Sequence, residues 1–330
     1  MHKIVMTRTG GPEVLEWVEA PDPVAGPGEV VVKTHTAAVG WPEVLVRTGT
    51  YKWSPPLPLT PGNELSGHIE SVGPDVETLK VGQPVYIASR ELNFQGGCYT
   101  EKIKAPAEAV LPVPENVELD AIAGLGYYSL AYALMHETAH ARPVKRVLVI
   151  GAAGGVGTAL VQMAHYEGRE VIGTVSSPEK AAHAQAMGAA HTINYRTENV
   201  MQRVLEVTNG EGVDLILDPV VGPSFADNFR MLAKWGHVVS YNAVGGMPAE
   251  GLFGVIRSFG DRAVGLHCFS MHVYEGDREG RRRIQTPALA MMAAGVRPPK
   301  GLVLPLSQAA EAHRILESGA AKGRIMMQPD

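Results

Sequence analysis

The stretch Arg146-Val147-Leu148-Val149-Ile150-Gly151-Ala152-Ala153-Gly154-Gly155-Val156-Gly157-Thr158-Ala159-Leu160-Val161 decides how this chain folds. Its opening, Arg146–Ile150, is a short apolar run suited to a strand buried on both faces. From Gly157 to Glu167 the pattern turns helical, with Leu160, Val161, Met163 and Ala164 on one side. Between the two lie four glycines in seven residues. A strand feeding a helix through so tight a turn leaves the first helical N–H groups without carbonyl partners, and such groups suit an anion. Gly154 and Gly155 are expected to take backbone conformations closed to other residues and to leave room for phosphate oxygens. Gly157 is expected to let the helix lie close against the strand.

In the fingerprint for binding a dinucleotide pyrophosphate, Ala152, Gly154 and Gly157 fill the three small-residue positions, with Ala replacing the first Gly. Gly155 and Val156 complete the turn. Downstream, Val171–Val175, His191–Asn194, Val213–Leu217, His237–Tyr241 and Val264–Phe269 read as strands, and Glu179–Met187 as a helix. This alternation predicts a Rossmann-type, doubly wound parallel sheet. NAD sites place an acidic residue at the end of the second strand for the ribose 2′-hydroxyl. Here that segment is Gly173-Thr174-Val175-Ser176-Ser177-Pro178-Glu179-Lys180. Ser176, Ser177 and Lys180 suit a 2′-phosphate, which a carboxylate would repel, so NADPH is the expected cofactor. The same serines are also helix N-cap residues, and the two roles are compatible.

Upstream, Glu29–Thr34, Gly67–Val72 and Gln83–Ala88 are short Val- and Ile-rich runs punctuated by Gly and Pro, the texture of a partly barrel-like β domain. Asp120–His140 reads as helical. After the nucleotide segment come a helix at Thr286–Ala294, an extended run at Leu302–Leu306, a helix at Gln308–Glu317 and a strand at Gly323–Met327. The expected organisation is a β-rich catalytic domain, residues 1–121 completed by 272–330, with a dinucleotide-binding domain inserted at 122–271. The chain's 330 residues suffice for two cores, and its net charge of -5 provides no broad basic field for nucleic acid or anionic lipid. The run Arg281-Arg282-Arg283 is expected on a solvated helix face. Two cysteines, Cys98 and Cys268, build neither a disulfide framework nor a four-thiolate zinc lobe. With no apolar leader or membrane-length run, a cytoplasmic protein is expected.

Taken together, the chain resembles the quinone oxidoreductase, zeta-crystallin-like branch of the medium-chain dehydrogenase/reductase superfamily. The pieces that carry the resemblance are Arg47-Thr48-Gly49-Thr50-Tyr51, Pro61-Gly62-Asn63-Glu64-Leu65-Ser66-Gly67, Tyr127-Tyr128-Ser129-Leu130 and the 151–157 turn. They continue with Met187-Gly188-Ala189, Asn194-Tyr195-Arg196, Asp218 before Val221-Gly222, and Lys322-Gly323-Arg324-Ile325. The resemblance implies a GroES-like catalytic domain, a homodimer, and metal-free hydride transfer from NADPH to a small acceptor. It places Ser129 near the nicotinamide ribose, Tyr195 by the adenosine 2′-phosphate, Tyr241 and Asn242 beside the nicotinamide, and Arg324 as a charged cofactor contact. Zinc-dependent relatives carry a His before Glu64 and an early Cys; here Asn63 stands there, and no Cys precedes Cys98.

One departure concerns the acceptor. The family's Asn-x-x-Asp is replaced by Gly40-Trp41-Pro42-Glu43. Tyr51 is the candidate hydroxyl donor to an acceptor oxygen, and Trp41 and Trp53 are candidate flat surfaces for stacking. The quinone is the leading acceptor. A reductase of α,β-unsaturated aldehydes or ketones would use the same residues, and a cofactor-binding sensor or structural protein with little turnover is the alternative from another class.

Overall fold

The computed structural model describes every residue except 93–95, 139–141 and 320–323. The sequence pieces Lys322-Gly323 and His140 therefore lie outside the described residues. The chain divides into two compact units, residues 1–126 with 275–330, and residues 127–274.

The first unit opens with the antiparallel pair β1 (His2–Val5) and β2 (Glu16–Glu19). Then follow β3 (Glu29–Val39), α1 (Trp41–Thr48), β4 (Glu64–Val72), β5 (Pro84–Ala88), β6 (Lys102–Pro106), β7 (Leu111–Pro112) and α2 (Leu119–Ile122). Its closing portion supplies α8 (Arg278–Ala293), β14 (Leu302–Pro305), α9 (Ala309–Ser318) and β15 (Ile325–Gln328). The main sheet runs β14-β15-β3-β4-β5-β7, antiparallel apart from the β14–β15 pair. Long β3 holds it together: β6 pairs its first half and β15 its second. Its apolar face meets those of β4, β5 and β6 through Val30, Val32, Leu65, Ile69, Val85, Ile87 and Ile103, which form one buried core. Gly67 is needed there, because a Cβ would stand 2.1 Å from the Lys33 carbonyl oxygen at a register shift.

The second unit begins within α3 (Leu125–Tyr132) and continues through β8 (Arg146–Val149), α4 (Gly155–Tyr166), β9 (Glu170–Val175), α5 (Pro178–Ala186) and β10 (His191–Asn194). Next come α6 (Val200–Val207), β11 (Val213–Asp218), β12 (Leu232–Ser240), α7 (Leu252–Ser258) and β13 (Gly265–Cys268). All its strands are parallel, in the order β10-β9-β8-β11-β12-β13. The chain winds outward from β8 in both directions, so the strand order reverses between β8 and β11. Ligands of such sheets bind beyond the carboxyl ends of the strands at that reversal.

Three readings need correction. In the run Arg281-Arg282-Arg283 only Arg283 lies on a solvated face. Arg281 is buried and grips buried Glu91 with two bonds, Nε to Oε1 at 2.7 Å and Nη2 to Oε2 at 3.1 Å, while Arg282 donates to the Glu108 and Val110 carbonyls. A neutralising carboxylate far away in sequence made burial possible. The helix over Asp120–His140 is interrupted: Gly124 has φ +154°, and a Cβ there would meet the Arg324 guanidinium at 1.8 Å. Finally, Gly154 (φ -77°) is extended and Gly155 is helical; the left-handed conformation belongs to Gly151, at φ +73°.

Candidate functional site

The glycine-rich turn is built by exclusion of side chains. The Thr174 hydroxyl accepts the Gly151 N–H at 3.0 Å, and the Ala152 N–H donates to the Thr174 carbonyl at 3.0 Å, so β9 pins the turn that leaves β8. A Cβ on Gly157 would lie 2.2 Å from the Gly151 carbonyl oxygen, and one on Gly173 would lie 2.6 Å from the Ala152 methyl. The Tyr127 ring covers Gly155 from α3. Helices α5 and α6 begin with side-chain caps from Ser177 and Asn199, but α4 begins at Gly154 with none. The N–H groups of Gly155, Val156 and Gly157 have no partner among the described residues, whereas that of Thr158 donates to Gly154. A pyrophosphate fits this cradle: three N–H groups at the positive end of a 12-residue helix, with no side chain above them.

Beyond β9, Ser177 caps α5, its hydroxyl oxygen accepting the Lys180 N–H at 3.3 Å. That leaves its proton available to a phosphate. Ser176 is half-buried, Lys180 is exposed, and neighbouring β10 pairs Asn194 with Val175, which brings Tyr195 alongside the Ser176 segment. Tyr195 is 52% exposed. Glu179, in the first turn of α5, is the acidic residue of this segment. Arg196, which sequence reasoning did not single out as a contact, is exposed one residue further on and has no ion pair among the described residues. The end of β9 and β10 therefore gathers two cations, two serine hydroxyls and a phenol.

Beyond β11 and β12, Asp218 is buried and accepts the N–H groups of Val220 (2.6 Å) and Val221 (3.0 Å) and the Asn228 amide (2.7 Å). This locks the strand end from which Tyr241 hangs, its N–H on the Asp218 carbonyl at 3.2 Å. Burial first, and the Asp218 charge second, raise the Tyr241 phenol pKa, so it stays protonated. Asn242 is exposed and turns its Oδ1 onto the Ala243 N–H at 2.8 Å. Ser129 is buried on α3.

Arg324 is placed differently from its expected cofactor role. It is buried in the first unit and donates to the carbonyls of Asp120 (3.0 Å), Ala121 (3.2 Å) and Ala123 (2.6 Å). Those carbonyls are left over where α2 stops, so the guanidinium anchors β15 to that break.

In the first unit, Trp41 opens α1 with 53% of its surface exposed, and Tyr51 is half-buried against the core. The Tyr51 hydroxyl accepts from Arg90 Nη2 at 3.5 Å, and its ring meets Trp53 edge-on. Burial raises its pKa, and the Arg90 charge pulls against that rise. Glu43 is the surprise of the Gly40–Glu43 departure. It is buried, its Oε1 accepts the Asn63 N–H at 3.0 Å, and its Oε2 has no hydrogen-bond partner among the described residues. Burial, helped by the nearby Glu64 charge, pushes its carboxyl up to about 8. Among the described residues no group of three His, Cys, Asp or Glu side chains is arranged to hold a metal ion.

A parallel sheet of this order with an uncapped glycine turn, joined in one chain to a bulged antiparallel β unit, defines a medium-chain dehydrogenase/reductase. Family models agree: residues 26–115 match the alcohol dehydrogenase GroES-like domain, and residues 155–272 match the zinc-binding dehydrogenase domain. Rat quinone oxidoreductase is 30% identical over 334 residues, covering 99% of this chain and 97% of the rat protein. A 2-haloacrylate reductase from Burkholderia is 30% identical over 341 residues, covering 98% of each. The crystal structure of Escherichia coli quinone oxidoreductase complexed with NADPH superposes with a TM-score of 0.84 at 28% identity over the whole of both chains. The chain belongs to the quinone oxidoreductase branch of that superfamily.

Proposed function

We propose that this protein is an NADPH-dependent oxidoreductase that delivers a hydride to a quinone without zinc. The carrying observation is the end of β9 and β10, where Ser176, Ser177, Lys180 and Tyr195, with Arg196 beyond, gather donors and positive charge in place of the carboxylate that would select NADH. The N–H groups of Gly155, Val156 and Gly157 hold the pyrophosphate, with Ala152, Gly154 and Gly157 giving it access. Ser129, Tyr241 and Asn242 border the nicotinamide end. The cofactor supplies the hydride; the protein orients the ring, excludes water and steadies the oxygen on which charge collects. We assign cofactor binding to the parallel-sheet domain (122–271) and acceptor recognition to the β-rich domain (1–121 with 272–330), with Tyr51 donating to the acceptor oxygen and Trp41 supplying a flat contact. Zinc independence is supported by Asn63, whose backbone is held by Glu43 at the position where zinc-dependent relatives carry histidine.

Purified protein treated with a chelator is expected to oxidise NADPH with a small para-quinone. Activity lost with chelator and restored by zinc would reverse the zinc-free reading. Saturable NADPH binding without reduction of any acceptor would point instead to a sensor. Reduction of activated alkenes is the second reading, favoured by the similarity to the 2-haloacrylate reductase. Turnover of a quinone and an enone side by side separates the two. The edge strand β13, paired on one side only by β12, is proposed to meet its counterpart across a twofold axis in a homodimer. Light scattering or sedimentation in solution tests that. A cytoplasmic location suits the two unpaired cysteines. No helix among the described residues is long and apolar enough to cross a membrane.

A further inference from the structure

The two anion sites assigned to the cofactor lie at the starts of neighbouring helices: the pyrophosphate cradle opens α4, and Ser177 and Lys180 open α5. NADH and NADPH carry the same pyrophosphate, but only NADPH carries a phosphate on the adenosine ribose. The placement of α5 against α4 therefore matters to one cofactor and little to the other. Yet α5 has a slight apolar grip. Of its nine residues only Ala184 is buried. The surface beneath it is built of small groups, since a Cβ on Gly173 would meet the methyls of Ala152, Ala189 and Ala184 at 2.6, 3.9 and 4.0 Å. Methyls bring a helix close to its sheet, but they bury too little area to hold it firmly.

A polar bond joins the two helices near their cofactor ends. Thr158, the residue after Gly157, is buried, and its hydroxyl meets His183 Nε2 at 3.0 Å. The Gly154 carbonyl, the usual partner of a helical threonine hydroxyl, already accepts the Thr158 N–H at 2.7 Å. His183 stands on α5 one turn beyond Lys180. Burial holds its ring below the usual imidazole range, so it is neutral at pH 7, and a neutral ring makes this bond in either tautomer. At the far ends of the same helices the His165 ring lies over Gly188, where a Cβ would come within 2.5 Å of it. Another side-chain bond of α5, from Gln185 Nε2 to Thr192 Oγ1 at 3.3 Å, is exposed to solvent.

We propose that the Thr158–His183 pair fixes the spacing of α5 from α4 and thereby acts as a positioning element in the choice of NADPH over NADH. The proposal rests on the placing of the 2′-phosphate at Ser176, Ser177 and Lys180. Neither partner touches the cofactor in this account. Their bond ties α5 to the start of α4, so Lys180 and the Ser177 hydroxyl are in place before the 2′-phosphate arrives. Without the bond, α5 has to be ordered as the cofactor binds, and that cost falls on NADPH alone.

The test is equilibrium binding of NADPH and of NADH to wild type, Thr158→Val, His183→Leu, the double variant and His183→Gln. Wild type is expected to prefer NADPH. Thr158→Val and His183→Leu are each expected to raise the NADPH Kd about fivefold or more, while the NADH Kd moves by less than about twofold. The double variant is expected to bind NADPH no more weakly than the weaker single variant, because both substitutions remove the same bond. His183→Gln, whose amide reaches the same hydroxyl, is expected to restore most of the preference. Equal loss for both cofactors, an NADPH preference left intact while the melting temperature falls, or independent addition of the two single effects overturns the proposal. Thr158→Val conserves shape, so it decides the question should His183→Leu fail to fold. Equal affinity of the wild type for NADPH and NADH is a different failure: it refutes the 2′-phosphate reading itself, and the proposal falls with it.

Discussion

Adding one methyl group at Gly157 tests the construction of the cofactor cradle. An alanine Cβ there stands 2.2 Å from the Gly151 carbonyl oxygen and 3.0 Å from Ala152 Cα. Both obstacles are backbone, so no side chain can swing aside; the start of α4 must retreat from β8 by about 1 Å to restore an ordinary contact. Overpacking of this kind costs about 1–3 kcal/mol. For a protein of this size the melting temperature should fall by roughly 2–10 °C. The displaced helix carries the N–H groups of Gly155, Val156 and Gly157 with it, so NADPH affinity, measured by quenching of protein fluorescence, should fall about ten- to a hundredfold, or roughly 1.4–2.8 kcal/mol. Gly154→Ala is the control for stability. Its Cβ meets only the Gly151 oxygen, at 3.4 Å, and its φ of -77° suits alanine. The melting temperature should therefore stay within about 2 °C of wild type. If Gly157→Ala melts and binds like wild type, or if Gly154→Ala is equally unstable, close helix–strand packing is not what shapes the cradle.

Other perturbations have equally defined outcomes. Lys180→Ala should weaken NADPH binding about tenfold while leaving NADH affinity nearly unchanged, the loss of one charge-assisted phosphate contact; equal affinity of wild type for both cofactors would refute the 2′-phosphate assignment. Arg281→Met leaves buried Glu91 with Arg278 alone, at 3.3 Å, and should cost about 1–3 kcal/mol in denaturant unfolding, much of it recovered by the double variant with Glu91→Leu. For Glu43 the sign follows from a folded pKa of about 8 against an unfolded carboxyl near 4.5. Between those values the native state holds a proton that the unfolded chain has released, so this group's contribution to stability is full below about 4.5 and is lost as pH rises toward 8. Glu43→Gln should therefore flatten the fall in melting temperature across that interval, and an unchanged slope would show that Glu43 is ionised in the native protein.

Much of the parallel-sheet unit was legible because its information is local. A strand, a glycine turn and an amphipathic helix are written in consecutive residues, and β10 lies at His191–Asn194, where the pattern places it. Segment ends were less legible. Helix α8 starts at Arg278 rather than Thr286, because the Asp277 carboxylate caps it on the Gly280 N–H at 2.8 Å. Strand β12 starts at Leu232, five residues before its apolar pattern becomes obvious at His237. Gly151 was misjudged against Gly154 and Gly155 because a glycine-rich string does not reveal which member takes the positive φ.

From the sequence alone came the nucleotide fold, the cofactor turn, the missing carboxylate after the second strand, and Asn63 where zinc-dependent relatives carry histidine. Each depends on residue type at a fixed spacing along the chain, and short-range backbone geometry makes such spacing readable. The pairings of Glu43 with Asn63, Arg90 with Tyr51, Arg281 with Glu91 and Arg324 with the carbonyls around Gly124 came only from the tertiary structure. These partners lie 20, 39, 190 and 201 residues apart. A side chain's charge and hydrogen-bond capacity are written in the sequence, but which partner uses them depends on which segments the sheet brings together. Burial then changes their chemistry: it raises the pKa of Glu43 and turns Arg281 from a surface charge into a core ion pair.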